Sequence, residues 1–290
     1  MVLRDLGYRA YEGSLQGRGQ NAWVLWRYSL RRAWNSWLIK LSVLFCWVPA
    51  MVPLAYIGIV FWFSTQTAGG NAPGAGNIDG ASLLNNLFKW QLWLFVSLVT
   101  LRTGASAMAE DMTNDSFTFF FSKPVSPLQY LLGRMGAVLT LVFSITLLPT
   151  ALVVLCLSVT SPQGEVWHSA KLFFPTLGLC AVVALVTSVV SVGISSLSRN
   201  RALTMTGWLL LWIVPHVIAS VVYAITDLPW LKLASLPAVL GSLSQILFQI
   251  TPEKDAAILN WMQVSAVLLA VTASSYALAW FRLNRLEVLK

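Results

Sequence analysis

The chain has 290 residues, of which 57% are apolar and only 10% charged, and its mean hydropathy is +0.70. Soluble domains carry about a quarter of their residues as charges, so these totals exclude a soluble α/β enzyme and indicate a single all-α polytopic membrane protein. The net charge of +8 does not argue for nucleic acid, because the basic residues lie beside apolar spans, where they mark loops held on the cytoplasmic side.

Residues 1 to 18 combine Arg4, Arg9 and Arg18 with Asp5, Glu12 and several glycines, the composition of an irregular cytoplasmic tail. The first apolar run begins near residue 38 and continues for about 26 residues, against roughly 7 to 15 for a signal-peptide core, so no cleaved leader is expected. From Asn21 to Trp37, Trp23, Trp26, Leu30, Trp34 and Trp37 recur at three- and four-residue steps while Arg31, Arg32, Asn35 and Ser36 fall opposite. This pattern predicts an amphipathic helix on the inner membrane surface, its indoles at headgroup level and its arginines toward anionic lipid. Plain anchoring to membrane lipids explains such a helix; contact with a cytoplasmic partner is the sharper reading. Residues 1–37 thus form a tail and interfacial helix, and 38–290 a six-span domain.

Span one is expected over Leu38 to Phe63, bent near its middle by Pro49 and Pro53. A Gly, Asn and Ala-rich stretch without lysine or arginine, residues 64 to 85, forms an outer loop. Span two follows over Asn86 to Ala109, span three over Leu131 to Val159 with a bend near Pro149, span four over Leu172 to Leu197 and, after the turn SRNR, span five over Ala202 to Ile225. Ala238 to Ile250 is apolar but too short to cross, which predicts a re-entrant or outer-surface helix before span six, Trp261 to Phe281. Fifteen of the nineteen lysines and arginines lie on the side of the tails, seven of them up to and including Lys40; Lys89, Lys171, Lys232 and Lys254 lie on the other. Both termini are therefore expected in the cytoplasm. Cys46, Cys156 and Cys180 fall within apolar runs without metal-type spacing and read as packing residues.

The stretch EDMTNDSFTFFFSKPVSPLQYLLGR, residues 110 to 134, interrupts the apolar pattern. Glu110, Asp111, Met112 and Asp115 precede Phe117, Phe119, Phe120 and Phe121, and Lys123, Pro124 and Pro127 then break the helix before the next apolar run. Exposed aromatics in a loop that only has to turn around suggest a docking surface for an aqueous partner; an interfacial helix resting on headgroups is the equal alternative.

No phosphate-binding G-x-x-x-x-G-K-[ST] loop, Ser/His/Asp constellation or pair of catalytic acids is present. The chain itself is therefore not expected to be an enzyme and needs no cofactor of its own. Asp, Glu, Lys and Arg avoid the centres of the predicted spans, whereas ion-driven carriers need such residues, so energy for any pumping has to come from another polypeptide. His216, after Pro215, is the one ionisable side chain well inside a predicted span. It either satisfies a kink or stands beside a translocation path.

This arrangement resembles the ABC type-2 exporter permeases: six spans, both ends inside, an amphipathic entry helix, an inner motif between spans two and three and a re-entrant segment before span six. The motif adds an acid at the inner end of span two (Glu110, Asp111), then Ser122, Pro124, Val125, Ser126, Tyr130, Leu131, Leu132, Gly133 and Arg134. The tail DLGYRAYEG is similar to that of some bacterial members; the phenylalanines at 119–121 depart from the aliphatic residues commoner there. The resemblance implies a bacterial inner-membrane permease that dimerises with a second copy or close homologue. It further implies a cytoplasmic ATP-binding subunit whose cleft receives a coupling helix from about Glu110 to Phe121. Phe117→Asp or Phe120→Asp is then expected to uncouple transport more than Glu110→Gln. A passive channel or secondary carrier, and a structural membrane subunit of a larger assembly, are the competing functions.

Overall fold

Backbone amides inside a bilayer have no water to bond, so long charge-free runs must satisfy them within a helix. They do so in the computed structural model, which describes residues 20–66, 79–117, 125–160, 170–226, 228–250 and 259–288. Six helices are long and apolar enough to cross a membrane: Trp37–Phe63, Gly80–Thr113, Pro127–Thr160, Phe173–Ser195, Arg201–Thr226 and Trp261–Arg285, here spans one to six. A further helix, α1, covers Gln20–Trp34, and a 3-10 turn at Pro229–Ala234 leads into a short helix, Leu236–Leu247. No strand occurs among the described residues. Spans two, three and four supply most of the buried core, while spans one, five and six leave most of their apolar surface outside it.

Several boundaries differ from the sequence expectation, each for a local reason. Span one breaks at Cys46–Trp47, between Trp37–Phe45 and Val48–Gln66, rather than bending at mid-span. A proline ring collides with the carbonyl four residues back, so placing Pro49 second in a new helix removes both the clash and the missing donor. Span two starts six residues earlier than predicted because Asp79 caps it, accepting from the Ser82 N–H at 3.2 Å. It passes through a π-helical segment, Gln91–Val96, and turns at Gly104–Ser106 before ending as Ala107–Thr113. Span three begins at Pro127 through a reciprocal cap: the Ser126 N–H donates to Gln129 Oε1 at 3.1 Å, and the Gln129 N–H to Ser126 Oγ at 3.3 Å. It continues through Pro149.

Close packing against span three and span four fixes α1 and the end of span two. Helix α1 lies directly against span three, where a Cβ at Gly133 would come within 2.7 Å of Leu25 Cβ; Trp26 Nε1 donates to Thr140 Oγ1 at 3.0 Å beside it. The turn in span two rests on span four, where a Cβ at Gly104 would lie 1.9 Å from Ser191 Oγ. Restarting a helix after this turn leaves N–H groups without intrahelical acceptors. Those of Met108 and Ala109 donate to Ser195 Oγ of span four at 2.9 and 3.0 Å. At the other end of the bundle, Ser244 of the short helix donates to Asn85 Oδ1 at 2.6 Å.

Candidate functional site

The charged residues that the sequence scatters over four segments meet at the α1 end of the bundle. Asp111, 1% exposed, ends span two and accepts from the Tyr130 hydroxyl at 2.5 Å and from Nη2 of Arg134, both near the start of span three. Tyr130 and Arg134 stand one helical turn apart and so present their polar ends to the same acid. The guanidinium also lies 5.6 Å from the Tyr130 ring centre and donates from Nη1 to Ser29 Oγ of α1 at 3.1 Å. Arg32, one turn further along α1, reaches Glu110 at 2.8 Å and Asp111 at 3.6 Å. Arg201, the first residue of span five, reaches Glu110 at 3.6 Å. The Thr113 hydroxyl donates to the Arg199 carbonyl, fastening span two to the turn between spans four and five.

Burial sets the energetic weight of these pairs. Glu110 retains 24% side-chain exposure and Arg32 36%, so their pair contributes about 0 to 1 kcal/mol. Asp111 and Arg134 are both buried, and removing either partner alone strands a charge, which costs about 3 to 5 kcal/mol. The knot therefore fixes the relative positions of α1 and the adjoining ends of spans two and three.

This placement corrects the expected exposure of the docking residues. Asp111, Met112 and Phe117 are buried in this chain, with the Phe117 ring 5.1 Å from that of Tyr130. Glu110 is partly exposed and paired. Asp115 is exposed at φ 49°, a left-handed conformation that asparagine and aspartate tolerate better than other side chains, and follows the last turn of span two. Phe120, Phe121, Lys123 and Pro124 lie outside the described residues. An interruption of the apolar pattern makes the acids look solvated, yet arginines from three other segments reach them. Arg32 is likewise turned onto protein, whereas the indoles of Trp23, Trp34 and Trp37 are exposed.

Several crevices border α1 among the described residues. A polar cavity of about 50 Å³ lies between α1 and spans two and three, walled in part by Arg32, Arg102, Glu110 and Arg134. On the other side of α1, a mostly apolar crevice of about 660 Å³ opens toward spans one and three, with Arg27 and Arg31 on its rim.

Span five carries the second predicted group. Within it, Pro215 sits in the helix interior and His216 Nδ1 lies 3.0 Å from Ser235 Oγ, with its ring 4.4 Å from that of Trp93. Ser235 also caps the short helix, accepting from the Ala238 N–H at 3.3 Å. With Nδ1 as acceptor, one hydroxyl serves both contacts, so His216 links span five to the short helix. Sequence reasoning missed Gln91, which is fully buried in the π-helical segment with neither amide atom hydrogen-bonded among the described residues. π-helical turns recur at functional positions, but the apolar run around Gln91 concealed it.

No family model matches the chain, and comparison with curated proteins finds no match.

Proposed function

We propose that the chain is the membrane-spanning permease subunit of an ATP-driven ABC exporter in a bacterial inner membrane. It works as a dimer with a second copy or close homologue, and a separate cytoplasmic ATPase subunit supplies the energy. In this reading α1 is the interfacial helix, the segment between spans two and three is the coupling element, and the helix Leu236–Leu247 is the re-entrant element on the outer side. The predominance of positive charge on the side of the tails supports cytoplasmic termini.

The observation that carries the reading is the buried attachment of Asp111 to Tyr130 and Arg134. A loop that merely reverses the chain has no need of a buried ion pair bracketing it. A loop that receives force does, because the clamp makes the ends of spans two and three move together when residues 112 to 126 are displaced. Arg134 extends the same clamp to α1 through Ser29, and Glu110 extends it to span five through Arg201. Displacement of one segment thus reaches four helices. Burial of Phe117 moves the docking surface away from that ring and toward the exposed Asn114 and Asp115.

Purification from native membranes tests this. An ATP-binding protein with a phosphate loop should accompany the chain, and the reconstituted complex should hydrolyse ATP and lose transport on ATP depletion. Transport that continues without ATP supports a channel or secondary carrier instead. A stable complex with no ATPase in it supports a structural subunit.

A further inference from the structure

The ionic knot is not neutral. Four guanidiniums, from Arg32, Arg102, Arg134 and Arg201, gather around two carboxylates, those of Glu110 and Asp111. Two positive charges are therefore left over. Arg134 is 5% exposed and uses its two terminal nitrogens on Asp111 and Ser29, but its Nε has no hydrogen-bond partner among the described residues. No carboxylate among the described residues lies within ion-pair distance of Arg102. Both arginines face the same cavity, which Ser29, Arg32 and Ser106 help to wall. A buried guanidinium donor without an acceptor, beside an unpaired guanidinium on the wall of one polar cavity, is a site short of an anion.

We propose that this cavity binds a phosphate group, and that the bound phosphate locks α1 onto spans two and three. Its volume of about 50 Å³ exceeds the roughly 10 to 15 Å³ that one water requires on this measure, which leaves room for one tetrahedral oxyanion. The donors converge from three directions: Arg32 and Ser29 from α1, Arg102 and Ser106 from span two, Arg134 from span three. A tetrahedral group offers oxygens to all three, whereas a carboxylate offers two in one plane, and guanidinium forks match phosphate oxygens well. The Glu110 carboxylate is also on the wall. Arg32 and Arg201 already engage it, so it limits the site to one anion without cancelling the surplus. The phosphate has two sources, the headgroup of an anionic lipid or a free phosphate in the aqueous phase. This inference does not depend on the exporter reading.

The test uses the full-length protein, delipidated in detergent. Thermal stability and native mass spectra are recorded against inorganic phosphate in one arm and against short-chain phosphatidic acid or phosphatidylglycerol in the other. Ligand that binds the folded state raises the melting temperature in a concentration-dependent way. Arg102→Gln removes a cavity wall while leaving the Asp111 clamp intact, and should weaken binding at least tenfold. Arg27→Gln, on the separate apolar crevice, should leave it unchanged. Response to inorganic phosphate identifies an aqueous ligand, and response to the lipids alone identifies a headgroup; either supports the site when Arg102→Gln weakens it at least tenfold. Absence of binding in both arms, or equal binding by wild type and Arg102→Gln, overturns the proposal.

Discussion

Replacing Asp111 with asparagine keeps the side-chain shape and removes one charge from the centre of the knot. Tyr130 can still donate to the amide oxygen, but Arg134, 5% exposed, loses its only ion-pair partner among the described residues. Stranding a buried charge in this way costs about 3 to 5 kcal/mol, a change of roughly a hundredfold to several thousandfold in the ratio of folded to unfolded protein. Arg134→Leu is expected to cost a similar amount by leaving Asp111 with the Tyr130 hydroxyl and, as its one cation among the described residues, the more distant Arg32 at 3.6 Å. The double variant Asp111→Asn/Arg134→Leu should cost much less than the sum of the two single changes, because paired removal leaves no buried charge. Glu110→Gln, at a partly exposed pair, should cost about 0 to 1 kcal/mol. Denaturant unfolding of the purified protein in micelles, followed by circular dichroism, measures all four. A cost below about 1 kcal/mol for Asp111→Asn, or strict additivity in the double variant, would refute the claim that this pair is a buried, coupled clamp.

Three further outcomes test the packing around the site. Gly133→Leu drives a side chain into Leu25 of α1, a strain of about 1 to 3 kcal/mol if the helices stay packed; trypsin should then cleave faster at Arg27 and Arg31, and an unchanged rate would contradict the close docking of α1. Ser195→Ala leaves the amides of Met108 and Ala109 without their acceptor at about 1 to 3 kcal/mol, so hydrogen exchange should quicken at those two amides and stay unaltered in span six; uniform exchange throughout would argue against this cap. Gln91→Leu removes a buried amide with no partner among the described residues and should raise stability by about 1 to 3 kcal/mol. A loss of stability on that substitution would show that the amide has a partner in the membrane.

The apolar runs make the six spans legible, since few other structures satisfy so much backbone without charge. Their edges are less so, because the information there lies in short polar signatures. Ser126-Pro127-Leu128-Gln129 is a capping box with proline at the first helical position, yet a reading keyed to hydropathy starts the helix at Leu131. Asp79 is a cap that a glycine-rich neighbourhood disguises as loop. At the site, sequence order conceals the essential fact: Ser29, Asp111, Arg134 and Arg201 follow one another at intervals of 82, 23 and 67 residues, and only helix packing shows that they share one centre. The spacing of Tyr130 and Arg134 is visible as a one-turn repeat, and an arginine two turns into an apolar span calls for a buried acid. Asp111 reads as outward-facing because Glu110 precedes it and Thr113, Asn114 and Asp115 follow shortly after, and local polarity says nothing of cations arriving from other helices.

The central claim is that the segment between spans two and three receives force from a separate ATPase. A photo-crosslinking amino acid at Asn114, exposed beside the end of span two, tests it most directly in intact membranes, with the same probe at the exposed Trp62 near the far end of span one as control. The account predicts an adduct between position 114 and a protein carrying a phosphate loop, lost when that protein is depleted and absent from position 62. Adducts to lipid alone at position 114, or to the same protein from both positions, would contradict it.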